Sequence, residues 1–390
     1  MKMGWKVKTL GEVCEVLDSM RKPITKRDRT PGEYPYYGAT GILDYVHEYI
    51  FDEKLILIGE DGAKWGAGEN TAFIAEGKYW VNNHAHVIRP NRSIVLDNWL
   101  VYFLNFSDLH KYVAGLTVPK LNQEKMRGIA FPLPPFPEQK RIVAILDKAF
   151  TAIAKAKENA EKNSKNAREL FESYLQSVFA NPGDGWEEKK LEEIAEIFGG
   201  YAFKSGDFQK NGKYQVLRMG NVRPGLIRLD EKPVFIEKLD EKILSRSLLK
   251  LNDIIITQTG TRKKRDYGYT VAIDKPNYLL NQRLAVIRFS KNFNYKFFLY
   301  FSWSNIFKDQ FFANETGTVG QGNVGISAVT NAITPCPPLL EQEKIVAKLD
   351  ALLAETKKLE NIYQQKREDL EELKKSVLQK AFTGQLKMEN

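Results

Sequence analysis

Two runs of basic side chains carry the clearest chemistry in this sequence. Arg21, Lys22, Lys26, Arg27 and Arg29 crowd one short stretch, and Arg262, Lys263, Lys264 and Arg265 crowd another. Clustered cations of this kind neutralise phosphates. Beside them lie groups that stack on bases or bond to their edges: Tyr36, Tyr37, Asn82, Asn83 and His84 in the first half, and Gln258, Thr259, Asn281 and Gln282 in the second. Amides and hydroxyls are the side chains that read base edges in a groove. A single basic loop is equally well explained as a solvated surface. Basic loops beside divergent polar segments in both halves point instead to double-stranded DNA.

The chemistry that is missing narrows the class further. There is no Gly-x-x-x-x-Gly-Lys-Ser/Thr loop, no Asn/Asp-Pro-Pro-Tyr/Phe run and no His/Cys cluster at metal spacing. His84 and His86 would share one face of an expected strand, which suits metal ligation in principle. No third ligand accompanies them, so a polar surface or nucleic-acid contact is the better reading. No pairing of acidic residues stands apart from a solvated face. The expectation is a chain without catalytic residues and without a metal of its own.

Composition agrees. At 390 residues the chain suits two or three domains, and 43% hydrophobic residues suffice for real cores. A net charge of +9 favours a polyanionic partner. Cys14 and Cys336 are the two cysteines, far apart and in non-equivalent places, so a disulfide framework is not expected and a reducing cytoplasm is. Met1 to Leu10 lacks the apolar core of a leader, and no run approaches the length of a membrane span.

The elements that position these groups come from a repeat. Pro134-Pro135-Phe136-Pro137-Glu138-Gln139 through Asp147 returns as Pro337-Pro338-Leu339-Leu340-Glu341-Gln342 through Asp350, at an offset of 203 (341 − 138). The match persists to Ser173, Leu175, Gln176 and Phe179, which return as Ser376, Leu378, Gln379 and Phe382. Roughly forty residues free of proline and glycine follow each motif, so each copy reads as one long helix. Apolar positions step by three and four, a coiled-coil spacing. They give Leu146, Ala149, Ala156, Ala160, Asn163, Ala167 and Leu170 on the first helix, and Leu349, Leu352, Thr356, Leu359, Tyr363, Leu370 and Leu373 on the second. The first seam is mostly alanine and the second mostly leucine, so each suits the other. Packed antiparallel about a two-fold axis, Asn163 faces Thr356, Ala149 faces Leu370 and Ala167 faces Leu352, with a slip of one heptad left open.

The globular regions repeat as well. Gly4-Trp5 returns as Gly185-Trp186, at an offset of 181 (185 − 4), so the second variable region is longer by 22 (203 − 181). Strands are expected at Leu55 to Ile58, Trp80 to Ile88, Tyr214 to Met219 and Asp253 to Thr257, and helices at Asn98 to Val113 and Tyr295 to Phe312. Asn281 to Arg288 aligns with Asn82 to Arg89. The expected fold is α+β: two mixed α/β domains, 1–133 and 183–336, separated by long helices, 134–182 and 337–390. Those helices form an intramolecular antiparallel coiled coil with pseudo-two-fold symmetry.

This plan resembles the specificity subunit of type I restriction-modification enzymes. The resemblance rests on the two Pro-Pro-x-x-Glu-Gln helix starts and the Gly-Trp before each domain. It rests also on Tyr36-Tyr37-Gly38-Ala39-Thr40-Gly41, Gly59-Glu60-Asp61-Gly62, Met219-Gly220-Asn221-Val222 and Asn252-Asp253-Ile254. It implies a non-catalytic subunit of a multisubunit site-specific deoxyribonuclease and adenine methyltransferase. Each target-recognition domain would read half of a bipartite, asymmetric DNA site, and the helices would set the spacing and dock two modification subunits. Restriction subunits would join for cleavage. S-adenosylmethionine, ATP and magnesium would belong to those partners, with no cofactor here. Two other readings fit the same residues: a coiled-coil scaffold that holds proteins rather than DNA, and the specificity subunit of a modification-only or combined system.

Overall fold

The computed structural model describes residues 4–115, 117, 119–318 and 320–386. The first three residues, part of the stretch read for a leader, lie outside the described residues. The chain folds as two compact units, Met1–Lys162 with Tyr363–Asn390, and Asn163–Ile362. Each unit takes in part of both long helices, Phe136–Ala180 and Leu339–Phe382.

In the first unit the run Leu55–Gly59 is fully buried because both its faces are covered. Successive strand residues point to opposite faces. Ile56 and Ile58 enter a cluster with Trp99 and Phe131, whereas Leu55 and Leu57 enter one with Phe51 and Tyr79. This strand lies inside an antiparallel sheet ordered Cys14–Val16, Ala85–Pro90, Leu55–Gly59, Ala72–Ala75. A second sheet is ordered Gly41–Val46, Pro31–Gly38, Lys78–Val81, Phe51–Asp52, with Tyr36 opposite Trp80 in a parallel pair.

The stretch Trp80 to Ile88, expected as one strand, is two. Asn82 breaks it: its side-chain oxygen accepts the His84 amide at 2.8 Å, a local turn that competes with extended pairing. Lys78–Val81 therefore joins the second sheet and Ala85–Pro90 the first. The expected helix from Asn98 ends early, as Asp97–Phe106 with a short turn at His110–Tyr112.

The second unit repeats this order. Its main sheet runs Ala195–Gly199, Leu284–Phe289, Ile254–Thr257, Thr270–Ala272, and Tyr214–Leu217 again pairs in parallel with Tyr278–Leu280. The expected helix Tyr295 to Phe312 is split into Tyr295–Phe301 and Asn305–Ala313. Ser304 starts the second piece by accepting the Phe307 amide at 3.3 Å.

The far end of each repeat is an aromatic anchor. Phe382 packs on Trp99, Phe103 and Phe106 in the first unit, with ring centroids 4.9, 5.4 and 5.3 Å apart, and Trp5 packs on the same Trp99 at 5.8 Å. Its counterpart Phe179 packs on Phe297 and Phe301 in the second unit, both at 5.4 Å. Burying such a ring is worth about 1.5–3 kcal/mol. Both copies therefore kept a phenylalanine 41 residues past the Glu of their helix motif (179 − 138 and 382 − 341).

Within each unit the helix contacts run in opposite directions. In the first, Lys157 pairs with Glu371 and Glu161 with Arg367 at 3.2 Å. In the second, Arg168 pairs with Glu360, and Lys348 lies 4.7 Å from the Tyr174 ring. Most expected seam positions face inward: Leu146, Ala160, Leu349 and Thr356 are buried, and Ala149, Ala156, Ala167, Leu352, Leu359, Tyr363 and Leu370 half-buried. Three do not. Leu170 is 67% and Leu373 49% exposed, and Asn163 also faces solvent. Thr356 meets the Ala167 carbonyl at 3.5 Å, one turn beyond Asn163. The reason is helical pitch. A strict 3.5-residue seam drifts about 20° per heptad on an α-helix, whereas steps of eleven hardly drift. Ile153, Ser164 and Leu175 follow such steps, as do Ala160 and Phe171, so Phe171 turns inward where Leu170 was expected.

Candidate nucleic-acid interface

At one end of each main sheet, three backbone segments are tied together in the same way. In the first unit the Glu60 amide donates to the His84 carbonyl at 2.9 Å, and the Leu121 amide to the Glu60 carbonyl at 2.8 Å. In the second, the Gln258 amide donates to the Arg283 carbonyl at 3.1 Å and the Val324 amide to the Gln258 carbonyl at 2.8 Å. The frame makes Glu60 equivalent to Gln258, Asp61 to Thr259, His84 to Arg283 and Lys120 to Asn323.

The side chains on this frame differ between the units. In the first they form an ionic cluster. Arg21 pairs with Glu60, donates to the Ala85 carbonyl at 2.8 Å and lies 3.4 Å from Asp18. Lys120 reaches Glu60 at 2.8 Å. His86 is buried, with Nδ1 2.7 Å from Asp18 and Nε2 2.7 Å from the Leu121 carbonyl. Burial works to raise the Asp18 carboxyl, but His86, Gln123 and the Val87 amide outweigh it and hold the group below its ordinary value. Asp18, Glu60 and His86 lie close enough together to suggest a metal triad. Arg21 and Lys120 already supply cations there, and both imidazole nitrogens are engaged. In the second unit the side chains bonded to one another across the frame are neutral: Thr259 donates to Asn323 at 2.9 Å and Gln258 to the Val324 carbonyl at 3.2 Å.

These contacts divide the candidate residues into supports and free surface. Arg21, Tyr36, Asn82, Gln258, Thr259 and Asn281 are buried or nearly so and hold loops in place. Tyr36 hydrogen-bonds both backbone groups of Ile24, and Arg29 stacks 4.4 Å from its ring while pairing with Asp44 at 3.0 Å. Tyr37 is packed against Phe73 and Tyr79, and burial pushes its phenol up. His84 and His86 do not share a face, because His84 sits in the turn, paired with Asp61, and His86 in the strand beyond it.

Lys22, Lys26, Arg27 and Asn83 are exposed in the first unit, and Arg262, Lys263, Lys264, Arg265 and Gln282 in the second. Arg262 lies 3.6 Å from Glu315, and Arg265 lies over Phe312 at 4.7 Å. Sequence reading passed over Arg223, Arg283 and Gln321, which line a concavity of about 470 Å³ with Gly260, Thr261, Tyr269 and Gly320. The alignment of Arg283 with His84 was a signal that could have found it. Gly320 to Gly325 has the spacing Gly-x-Gly-x-x-Gly. Here it forms an antiparallel strand, Gly322–Asn323, before a five-residue helix, not the strand-to-helix turn that cradles a dinucleotide.

No helix among the described residues is long and apolar enough to cross a membrane. A family model described as type I restriction modification DNA specificity domain matches residues 2–162 and 183–371. The chain is 25% identical over 414 residues to the type I restriction enzyme MjaVIII specificity subunit of Methanocaldococcus jannaschii, covering 99% of this chain and 94% of that protein. It is 37% identical over 147 residues, 37% of each chain, to a putative type I restriction enzyme specificity subunit of Haemophilus influenzae. Among solved structures, a chain from a study of complex assembly and conformational transition of the type I R-M system matches with a TM-score of 0.73 at 19% identity, over 99% of both chains. The HsdS subunit from Thermoanaerobacter tengcongensis matches with a TM-score of 0.58 at 18% identity, over 99% of this chain and 98% of that one. At these identities the structural likeness is one of fold.

Proposed function

We propose, for a chain that belongs to the family of type I restriction modification DNA specificity domains, that each unit reads one half of a bipartite, asymmetric DNA site. The observation that carries this reading is the duplicated frame. The same main-sheet order and the same three tied segments present an interlocked ionic set in one unit, and in the other an amide and hydroxyl set beside Arg283. One scaffold with two chemistries suits two different half-sites.

In this reading the target-recognition domains are 1–133 and 183–336, and the helices 134–182 and 337–390 form a pseudo-two-fold antiparallel coiled coil. The helices set the spacing of the half-sites and dock two modification subunits, with restriction subunits added for cleavage. Lys22, Lys26, Arg27, Lys263 and Lys264 neutralise phosphates, which position the protein without reading sequence. The chain holds the address, and S-adenosylmethionine, ATP and magnesium belong to partners working in the cytoplasm.

Mapping methylated adenines in the cell that carries this chain tests the reading. The expected result is a two-part word with a fixed gap and unlike halves. A single uninterrupted word, or no methylation that depends on the chain, overturns it. Reversing the charges of Lys263 and Lys264 separates DNA reading from protein scaffolding, because a scaffold would tolerate the change.

A further inference from the structure

Arg283 stands apart from the other arginines near the second unit's concavity. Arg223 is tied down: it donates to the carbonyls of Gly220 and Val222 at 3.0 and 2.8 Å and lies 3.7 Å from Glu231. Arg283 is exposed, and its side chain makes no hydrogen bond or ion pair among the described residues. Its backbone, by contrast, is fixed. The Arg283 carbonyl accepts the Gln258 amide, and Asn281, buried, donates its amide to the Leu217 carbonyl at 3.2 Å. A guanidinium on a fixed backbone with no partner of its own keeps all five of its donors for an incoming base edge.

Its surroundings admit a base. Gly320 leaves bare backbone on an open part of the wall, with nothing within 4 Å of where a side chain would start, whereas Gly260 packs close against Asp266 and Tyr267, each 2.7 Å from an added carbon. Asp266 accepts the Thr261 amide at 2.6 Å, which fixes the loop that carries this glycine. Gln321, also exposed, offers a second amide on the same rim. At the equivalent place in the first unit stands His84, already paired with Asp61. The same mount therefore carries different chemistry in the two units.

We propose that Arg283 is a specificity-determining residue of the second unit, presenting its planar fork to the major-groove edge of a guanine. This rests on the DNA-reading function proposed above. An arginine fork fits guanine O6 and N7 together, and a good pair of this kind discriminates against other bases by roughly ten-fold or more. A lysine supplies charge but no fork.

The test compares methylation words and melting temperatures for the full-length wild-type chain and Arg283→Ala, Arg283→Lys and Lys263→Ala/Lys264→Ala variants, each expressed in its own host with its own partners. The expected result is that Arg283→Ala makes one guanine position in one half of the word degenerate, leaves the other half intact and does not change the melting temperature. Arg283→Lys should relax the same position, and the double lysine variant should lower occupancy evenly at every site. An unchanged word with Arg283→Ala, an even loss over all sites, or a lowered melting temperature overturns the assignment while leaving the two-part reading standing. Absence of a two-part word with the wild-type chain overturns both.

Discussion

Gln342 accepts the backbone amide of Asn294 at 2.8 Å and donates its own amide to the Pro337 carbonyl at 2.9 Å. Gln139 repeats the arrangement, accepting from Leu96 at 3.0 Å and donating to Pro134 at 2.9 Å and Ile94 at 2.8 Å. Both side chains are buried. The Asp that closes each motif adds a second tie: Asp350 accepts from Tyr300 at 2.6 Å and from Lys296 at 2.7 Å, and Asp147 accepts from Tyr102. Burial and then the neighbouring carboxylate push both phenols up, so these hydroxyls stay donors. The repeated motif is thus a latch that fastens each globular region to the start of the helix that follows it.

Gln342→Ala takes the partner from the half-buried Asn294 amide, and losing a hydrogen bond of this kind costs about 0.5–1.5 kcal/mol. For a unit of this size that lowers the melting temperature by several degrees. Calorimetry of the variant checks this, and a melting temperature equal to wild type would dismiss the latch.

Leu349→Asp should be far more damaging than Leu170→Asp, although both leucines belong to the expected seam. Leu349 is fully buried, and an unpaired carboxylate there costs several kcal/mol. Leu170 is 67% exposed, so its change should stay within about 0.5 kcal/mol. Chemical denaturation distinguishes the two, and equal losses would restore the original seam.

Acid should unlock the first unit through Asp18. Its folded carboxyl lies below the ordinary value, so it contributes stability that is complete above the unfolded value of 3.8 and is lost as pH falls through the folded one. Asp18→Asn should flatten this acid limb. It should also cost about 3 kcal/mol at neutral pH, because a buried ion cluster loses one partner. Glu60, Asp61, Arg21, Lys120 and His86 share the cluster with Asp18. Melting curves from neutral pH down to about pH 3 check the sign.

Arg21→Ala and Arg27→Ala should separate support from contact. Arg21 is locked between Asp18 and Glu60, so its loss should lower the melting temperature of the first unit. Arg27 has a side chain 88% exposed, so its loss should leave melting unchanged and weaken DNA binding. If Arg27 meets one phosphate, the salt dependence of binding should fall by about one unit of slope. Binding titrations at several salt concentrations read this directly.

The sequence by itself determined the duplicated plan, because proline-bounded runs and repeated motifs are local in the chain and survive as plain text. The two long helices, the Gly-Trp starts and the two sets of strands were legible on that ground. Only the tertiary structure decided which polar residues work inside and which face out. Arg21 and Arg27 have similar sequence surroundings, and what separates them is Glu60, which lies 39 positions away from Arg21 and beside it in space. The same holds for Leu170 and Phe171, whose exchange depends on helical pitch accumulated over several turns. Arg283 carried no loop-wide charge cluster to mark it. Its freedom comes from what the folded chain leaves around it: a fixed backbone and, among the described residues, no ion pair or hydrogen bond to its side chain, while Asp266 on the same concavity is held by the Thr261 amide.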